Sequence, residues 1–135
     1  MDYVFDACAL IALLNEEDGA DVVSDLLMKA EAGTDRLFIS SIQVLEVYYD
    51  RIYIMGLEYA NTFLESLSSS PVVVLPEISS DIIREAGRFK TSYSMSLADA
   101  VAAATAKSLS AVLVTKDREI KAAEEAGEFS VLWLK

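Results

Sequence analysis

The sequence predicts an α/β domain of three layers, with helices covering both faces of a parallel sheet. Two observations lead to that expectation. Five runs, at residues 3–5, 37–39, 72–75, 111–114 and 131–134, are short and wholly apolar. Strands buried on both faces read this way, whereas half-exposed strands alternate. Between the runs lie longer stretches with helical spacing, the alternation that a sheet with crossover helices requires. With 135 residues, 53% of them hydrophobic, the chain has enough apolar surface for one core. It shows no internal repeat, low-complexity tract or linker, so residues 1–135 read as a single domain.

The elements follow in order. Residues 3–5 form a strand that ends at Asp6, and residues 7–14 a helix. A second helix covers 19–32, with Val22, Val23, Leu26 and Leu27 on one face and Gly33 as its stop. The strand at 37–39 leads into Ser40-Ser41-Ile42-Gln43, which resembles a capping box and opens a helix running to about Met55. Gly56 interrupts the pattern before another helix at 57–67. The strand at 72–75 is closed by Pro76, and helices are predicted at 79–93 and, rich in alanine, at 97–109. After the strand at 111–114, residues 117–126 read as helical with Gly127 as their stop, and 131–134 supply the fifth strand.

Several absences narrow the chemistry. The chain has no histidine and one cysteine, Cys8, which excludes imidazole acid–base mechanisms and an ordinary zinc site. Neither common glycine-rich phosphate loop occurs. The net charge of −11 argues against a broad basic face for nucleic acid. No apolar run approaches the ~18–20 residues of a membrane span, and residues 1–14 lack the basic start and cleavage site of a signal peptide. A lone cysteine suits a reducing compartment, so the expected setting is the cytoplasm. For a hydrolase so composed, carboxylates holding a hard cation are the main chemistry available.

Four acids are placed for that task. Ligands of an open parallel sheet bind beyond the carboxyl ends of its strands. Asp6 directly follows the first strand and Asp117 follows Val112-Leu113-Val114-Thr115-Lys116, while Glu46 and Asp99 lie early in helices that begin at the same edge. Four such carboxylates repel by ~4 kcal/mol per pair at 4 Å and an effective dielectric near 20, so they need a cation or must take up protons. All-oxygen ligation selects Mg2+ or Mn2+. Other roles are open to each residue. Asp117 also reads as a helix N-cap, Asp99 completes the capping-box signature Ser96-Leu97-Ala98-Asp99, and Glu46 fits a solvated helix position. Asp6 is the hardest to explain otherwise, because an acid closing an apolar strand is costly to bury without a partner. Thr115 is placed to orient a ligand carboxylate through its hydroxyl.

These residues resemble the PIN-domain nuclease family, and in particular its small VapC-like toxins. The resemblance is carried by Tyr3-Val4-Phe5-Asp6-Ala7-Cys8-Ala9-Leu10, Ser41-Ile42-Gln43-Val44-Leu45-Glu46-Val47, Ser96-Leu97-Ala98-Asp99-Ala100 and Leu113-Val114-Thr115-Lys116-Asp117-Arg118-Glu119. It implies a strand order of 3-2-1-4-5, a magnesium or manganese site on Asp6, Glu46, Asp99 and Asp117 with Thr115 as a supporting hydroxyl, and endonucleolytic cleavage of RNA. It also implies homodimers and a cognate antitoxin whose C-terminal segment covers the active-site groove. Two departures stand out. Ala7-Cys8 replaces the hydroxyl residue the family often carries after its first aspartate, which is expected to remove a hydrogen bond to Asp6. Ile120 replaces an aromatic residue, a packing change.

Lys116, Arg118 and Lys121 flank Asp117 and are expected to contact the RNA backbone. The stretch 44–63 is apolar on several faces, with Tyr48, Tyr49, Ile52, Tyr53, Met55, Tyr59 and Phe63, and is expected to receive an antitoxin segment or a second copy. The alternative function is a catalytically weak PIN-like module that binds RNA or protein. Phosphotransfer domains on a similar sheet fit less well, because Pro76-Glu77 stands where a phosphorylatable aspartate belongs and Cys8 where a phosphatase of the haloacid-dehalogenase type has its second aspartate.

Overall fold

The computed structural model describes residues 1–134 and joins the five apolar runs into one parallel sheet. The strands are β1 (Asp2–Phe5), β2 (Arg36–Ser40), β3 (Val72–Leu75), β4 (Val112–Thr115) and β5 (Val131–Trp133), ordered β3-β2-β1-β4-β5. The register aligns Phe5 with Ile39 on one side and with Val114 on the other. The carboxyl ends of the three central strands therefore lie level, and Asp6, Ser40 and Thr115 all reach one edge.

Seven α-helices are described: α1 (Ala7–Leu14), α2 (Ala20–Glu31), α3 (Ser41–Met55), α4 (Leu57–Ser68), α5 (Ser80–Ser92), α6 (Leu97–Leu109) and α7 (Lys121–Glu125). One face of the sheet joins Phe5, Leu37, Ile39, Val72 and Val114 to α1–α4 in one apolar cluster. The other face, with Val4 and Leu113, packs against α5 and α6. Alanine makes α6 fit, since Ala100, Ala102, Ala103, Ala104 and Ala106 are buried beneath α5 and small side chains let the helix lie close to the sheet. Ile120 is buried in the same cluster, so at that position an aliphatic side chain fills the core.

Two local expectations are corrected. Residues 117–126 do not form one helix: a 3₁₀ turn at Arg118–Ile120 precedes the five-residue α7. The Asp117 carboxylate accepts the Glu119 N–H at 3.0 Å, and this short bond tightens the first turn. The Ser40–Gln43 capping box is absent as well. The Ser40 hydroxyl makes no cap bond, and the Gln43 amide is committed to more distant backbone groups described below.

Glycine is required at two turns for different reasons. Gly33, at φ +85°, ends α2 in open space, where the Thr34 N–H reaches the Lys29 carbonyl at 3.0 Å. Gly19, at φ +95°, lies against Leu134, and an added Cβ would fall 2.7 Å from Leu134 Cβ and 2.8 Å from its carbonyl oxygen. Gly33→Ala is expected to cost ~1 kcal/mol through backbone strain alone, and Gly19→Ala ~1–3 kcal/mol more because Leu134 must move. Urea denaturation of both variants checks the order; equal costs would show that Leu134 is free to give way.

Candidate metal centre

Asp6 leaves β1 and immediately N-caps α1, accepting the Ala9 N–H at 3.2 Å. Its other bonds come from side chains. The Thr115 hydroxyl donates to one carboxylate oxygen, and the Cys8 thiol donates to the other at 2.9 Å. The hydrogen bond expected to be lost at Ala7-Cys8 is thus present, with sulfur as its donor. Cys8 Sγ is itself held by the Lys116 N–H at 3.3 Å. Asp6 is 2% exposed, and burial pushes its pKa from 3.8 up to about 6. The three donors oppose that rise, and the charge of Asp117 adds to it.

Thr115, fully buried at the end of β4, connects two acids. It donates to Asp6 and accepts the Asp117 N–H at 3.0 Å. The residue two places beyond the strand is therefore turned back toward the first aspartate. Cys8 lies 3.5 Å from the same hydroxyl.

Asp99 stands in the first turn of α6. Ser96 caps that helix, its hydroxyl accepting the Asp99 N–H at 3.2 Å. In a capping box the third residue's carboxylate would return to the Ser96 N–H. Here Glu119 occupies that N–H instead, at 2.8 Å, and leaves the Asp99 carboxylate facing the site. Asp99 is 6% exposed, yet its Oδ2 has no hydrogen-bond partner among the described residues. One carboxylate oxygen each from Asp99, Asp117 and Glu119 lies within 4.8 Å of the others. Burial first, then the neighbouring Asp117 and Glu119, hold the Asp99 carboxyl far above the ordinary range.

Asp6 and Glu46 border this triad. Glu46 is half-buried one turn into α3, and its pKa is raised by burial and by the charge of Asp117. Asp6 adds to the shift of Asp99. The four acids singled out in the sequence therefore share one edge and one field, while the tightest oxygen cluster contains Asp99, Asp117 and a fifth acid, Glu119. Glu119 was hidden by the helix expected over 117–126, because residues two apart on an α-helix do not face each other. The Asp-x-Glu spacing at a strand exit was the available signal.

Gln43 is the second residue that sequence reasoning missed. It is fully buried. Its Oε1 accepts the Ala7 N–H at 2.9 Å and its Nε2 donates to the Ala98 carbonyl at 2.6 Å. One amide thus joins the first turns of α1, α3 and α6, the helices that carry Asp6, Glu46 and Asp99. The basic residues beside Asp117 are more engaged than their spacing suggested. Lys116 pairs with Glu17 at 2.6 Å, Lys121 pairs with Glu124 at 3.4 Å, and both Arg118 and Lys121 lie over the Trp133 ring.

A hard divalent cation fits this donor set. The buried Asp99 Oδ2 lies in a cluster with further carboxylates, and among the described residues no cationic side chain pairs with Asp99, Asp117 or Glu119. Without a cation such a cluster must hold protons, and burial and its neighbours favour the protonated form of Asp99.

The sequence profile of the PIN domain matches residues 3–126. Solved structures share the fold across nearly the whole chain. A chain of VapBC2 from Rickettsia felis, bound to a promoter DNA fragment, is 19% identical with a TM-score of 0.74, covering 98% of each chain. VapBC-1 from nontypeable Haemophilus influenzae is 23% identical at a TM-score of 0.70, covering 99% of this chain and 98% of that one. VapBC-5 from Mycobacterium tuberculosis, a member of the VapBC family of toxin–antitoxin systems, is 17% identical at 0.63, with 98% of each covered. No curated protein sequence matches the chain.

Two outcomes follow from the site's energetics. A carboxyl whose pKa is raised by folding stabilises the folded state below its unfolded pKa, and that contribution is lost as pH rises through the folded value. In metal-free buffer, thermal stability should therefore fall between pH 3.8 and about 6 through Asp6, by on the order of 2–3 kcal/mol. It should fall further above pH 6 through Asp99. Asp99→Asn should raise the melting temperature at pH 8 and flatten the upper part of the profile; a variant less stable than the parent would contradict this. Gln43→Leu strands the Ala7 N–H and Ala98 carbonyl and should cost ~2–4 kcal/mol, read by the same denaturation midpoint.

Proposed function

The chain belongs to the PIN-domain family, and on that premise we propose that it is a metal-dependent endoribonuclease, the toxin of a toxin–antitoxin pair. The observation that carries the reading is the buried Asp99 Oδ2, unpartnered inside a cluster of carboxylates at the sheet's carboxyl edge. Asp99, Asp117 and Glu119, with Asp6 and Glu46 beside them, would hold Mg2+ or Mn2+. The bound ion supplies a water of lowered pKa and stabilises charge on the phosphate in an in-line displacement.

The chain's own residues prepare that arrangement. Thr115 and Cys8 fix the two oxygens of Asp6 so that its carboxylate cannot rotate. Glu119, anchored on the Ser96 N–H, joins the Asp117 turn to the start of α6. Gln43 holds three helix starts in register around the acids. The carboxylate-only chemistry agrees with a chain that has no histidine.

A protein partner is supported by the outer face of α3 and α4. Tyr53 is 84% exposed, and Leu45, Ile54, Leu57 and Tyr59 are each more than half exposed. An apolar surface of this extent on a protein with charge −11 calls for a cover. An amphipathic antitoxin segment is the proposed occupant, with a second copy of the chain sharing part of the face. The solved relatives described as VapBC complexes support the choice.

Incubation of the purified protein with a mixed RNA pool should give cleavage with Mg2+ or Mn2+ and none with EDTA. Asp99→Asn and Asp117→Asn should abolish it, and Thr115→Val should reduce it ~10–100-fold. A folded protein that cleaves no RNA under any condition would favour a PIN-like binding module instead. Tyr53→Arg should disrupt capture of the product of an adjacent antitoxin reading frame without altering cleavage. Unchanged capture and oligomeric state in both Tyr49→Arg and Tyr53→Arg would remove α3–α4 as the partner surface.

A further inference from the structure

Among the described residues, eight of the ten lysine and arginine side chains pair with a carboxylate within 4 Å. The two that do not are Arg118 and Lys90, and contacts connect each of them to the carboxylate cluster. Arg118 lies between the cluster members Asp117 and Glu119 in sequence, exposed, with its guanidinium 5.4 Å from the centre of the Trp133 ring. Lys90, exposed near the end of α5, donates to the Met95 carbonyl at 2.9 Å. Met95 directly precedes Ser96, whose N–H holds Glu119. The two unpaired cations are thereby connected through a short chain of contacts that passes the site.

Beside Lys90 runs an apolar groove of about 300 Å3, lined by Ile42, Ile83, Gly87 and Leu97 among others. This is the low end of the ~300–1,000 Å3 typical of small-ligand pockets. Ile42 lies one turn before Glu46 on α3, and Leu97 opens the α6 turn that holds Asp99, so the groove and the carboxylates draw on the same two helix starts. Gly87 has no structural need to be glycine. It sits inside α5 at ordinary helical geometry, and a Cβ there would meet nothing within 4 Å. An interior helical glycine costs ~1 kcal/mol relative to alanine. Its bareness leaves the groove open instead.

We propose that single-stranded RNA crosses the carboxylate site from Arg118 to Lys90, with phosphates on these two side chains and one nucleobase seated between α5 and α6. The inference rests on the ribonuclease reading; of the expected Lys116, Arg118 and Lys121 it keeps Arg118 and replaces the two lysines, already paired with Glu17 and Glu124, by Lys90. RNA suits both halves of the surface. A phosphodiester satisfies the two cations, and apolar side chains sandwich a base. The Arg118 guanidinium, over the Trp133 ring, is a second platform on which a base can stack. In a chain so acidic, two free cations at the rim of the acid cluster direct the strand across it.

The test measures binding of a fluorescent single-stranded RNA by anisotropy from 50 to 300 mM salt, and in parallel its cleavage with Mn2+. Lys90→Ala and Arg118→Ala should each weaken binding about 3- to 10-fold and lower the slope of log affinity against log salt by ~0.7. Gly87→Leu fills the groove without changing charge. It should weaken binding about 5-fold or more, leave the salt slope alone, and melt no lower than the parent. Lys29→Ala, remote on α2, should behave as the parent. Unchanged affinity and slope in Lys90→Ala and Arg118→Ala, with a cleaving parent, would overturn this inference and spare the nuclease. RNA binding that follows the predicted pattern without cleavage in any metal would keep the track and remove the nuclease. Absence of RNA binding by the parent would overturn both, and a changed oligomeric state in Gly87→Leu would show that the groove seats a second copy of the chain.

Discussion

Asp99 places a carboxylate oxygen in the protein interior with no donor to meet it among the described residues, and its carboxylate clusters with those of Asp117 and Glu119, one oxygen of each within 4.8 Å of the others. At such distances each pair of charges repels by several kcal/mol at a protein-like dielectric. A fold of ordinary stability, ~5–15 kcal/mol, tolerates that only if protons or a cation neutralise the group. The rest of the site can be understood as a response to this constraint. Asp6 receives three donors, Asp117 accepts the Glu119 N–H, and Glu119 accepts the Ser96 N–H. Each bond fixes a carboxylate in place without neutralising it, which leaves the charge for something outside the chain.

The parallel sheet makes the crowding possible. Because β1, β2 and β4 end at one level, residues distant in sequence arrive at one edge without a long loop. Thr115 links β4 to β1 through its hydroxyl, and Gln43 ties the helices on either side. The layers also divide the labour. Small alanines bring α6, and Asp99 with it, close to the sheet, while α3 and α4 keep an apolar outer face available for a partner.

Much of this was readable from residue patterns. Short, wholly apolar strands gave the three layers, and acids at strand exits and at the helix starts of the same edge gave four of the five carboxylates there. Glu119 escaped because a uniform helix would have turned it away from Asp117, and only the 3₁₀ turn brings it back. Cys8 was misread for a chemical reason: a thiol is a weaker donor than a hydroxyl, but in this geometry it still reaches Asp6. Gln43 resembled a local cap, yet its partners lie 36 and 55 residues away. The basic residues misled in the same manner. Lys116 looked free beside Asp117 until the fold brought Glu17, 99 positions earlier, against it. Local pattern reveals periodicity and strand ends; long-range pairings of polar side chains depend on how the layers meet.

If the acids are arranged for a cation, that cation should bind with saturation to the folded chain, and this is the claim on which the account turns. Titration of the metal-free protein with Mn2+, followed by calorimetry at neutral pH, tests it without reference to any RNA. The account predicts saturable binding that is lost in Asp99→Asn and weakened at least tenfold in Glu119→Gln, with both variants folded. Binding that is absent in the parent, or unaffected by either substitution, would contradict it.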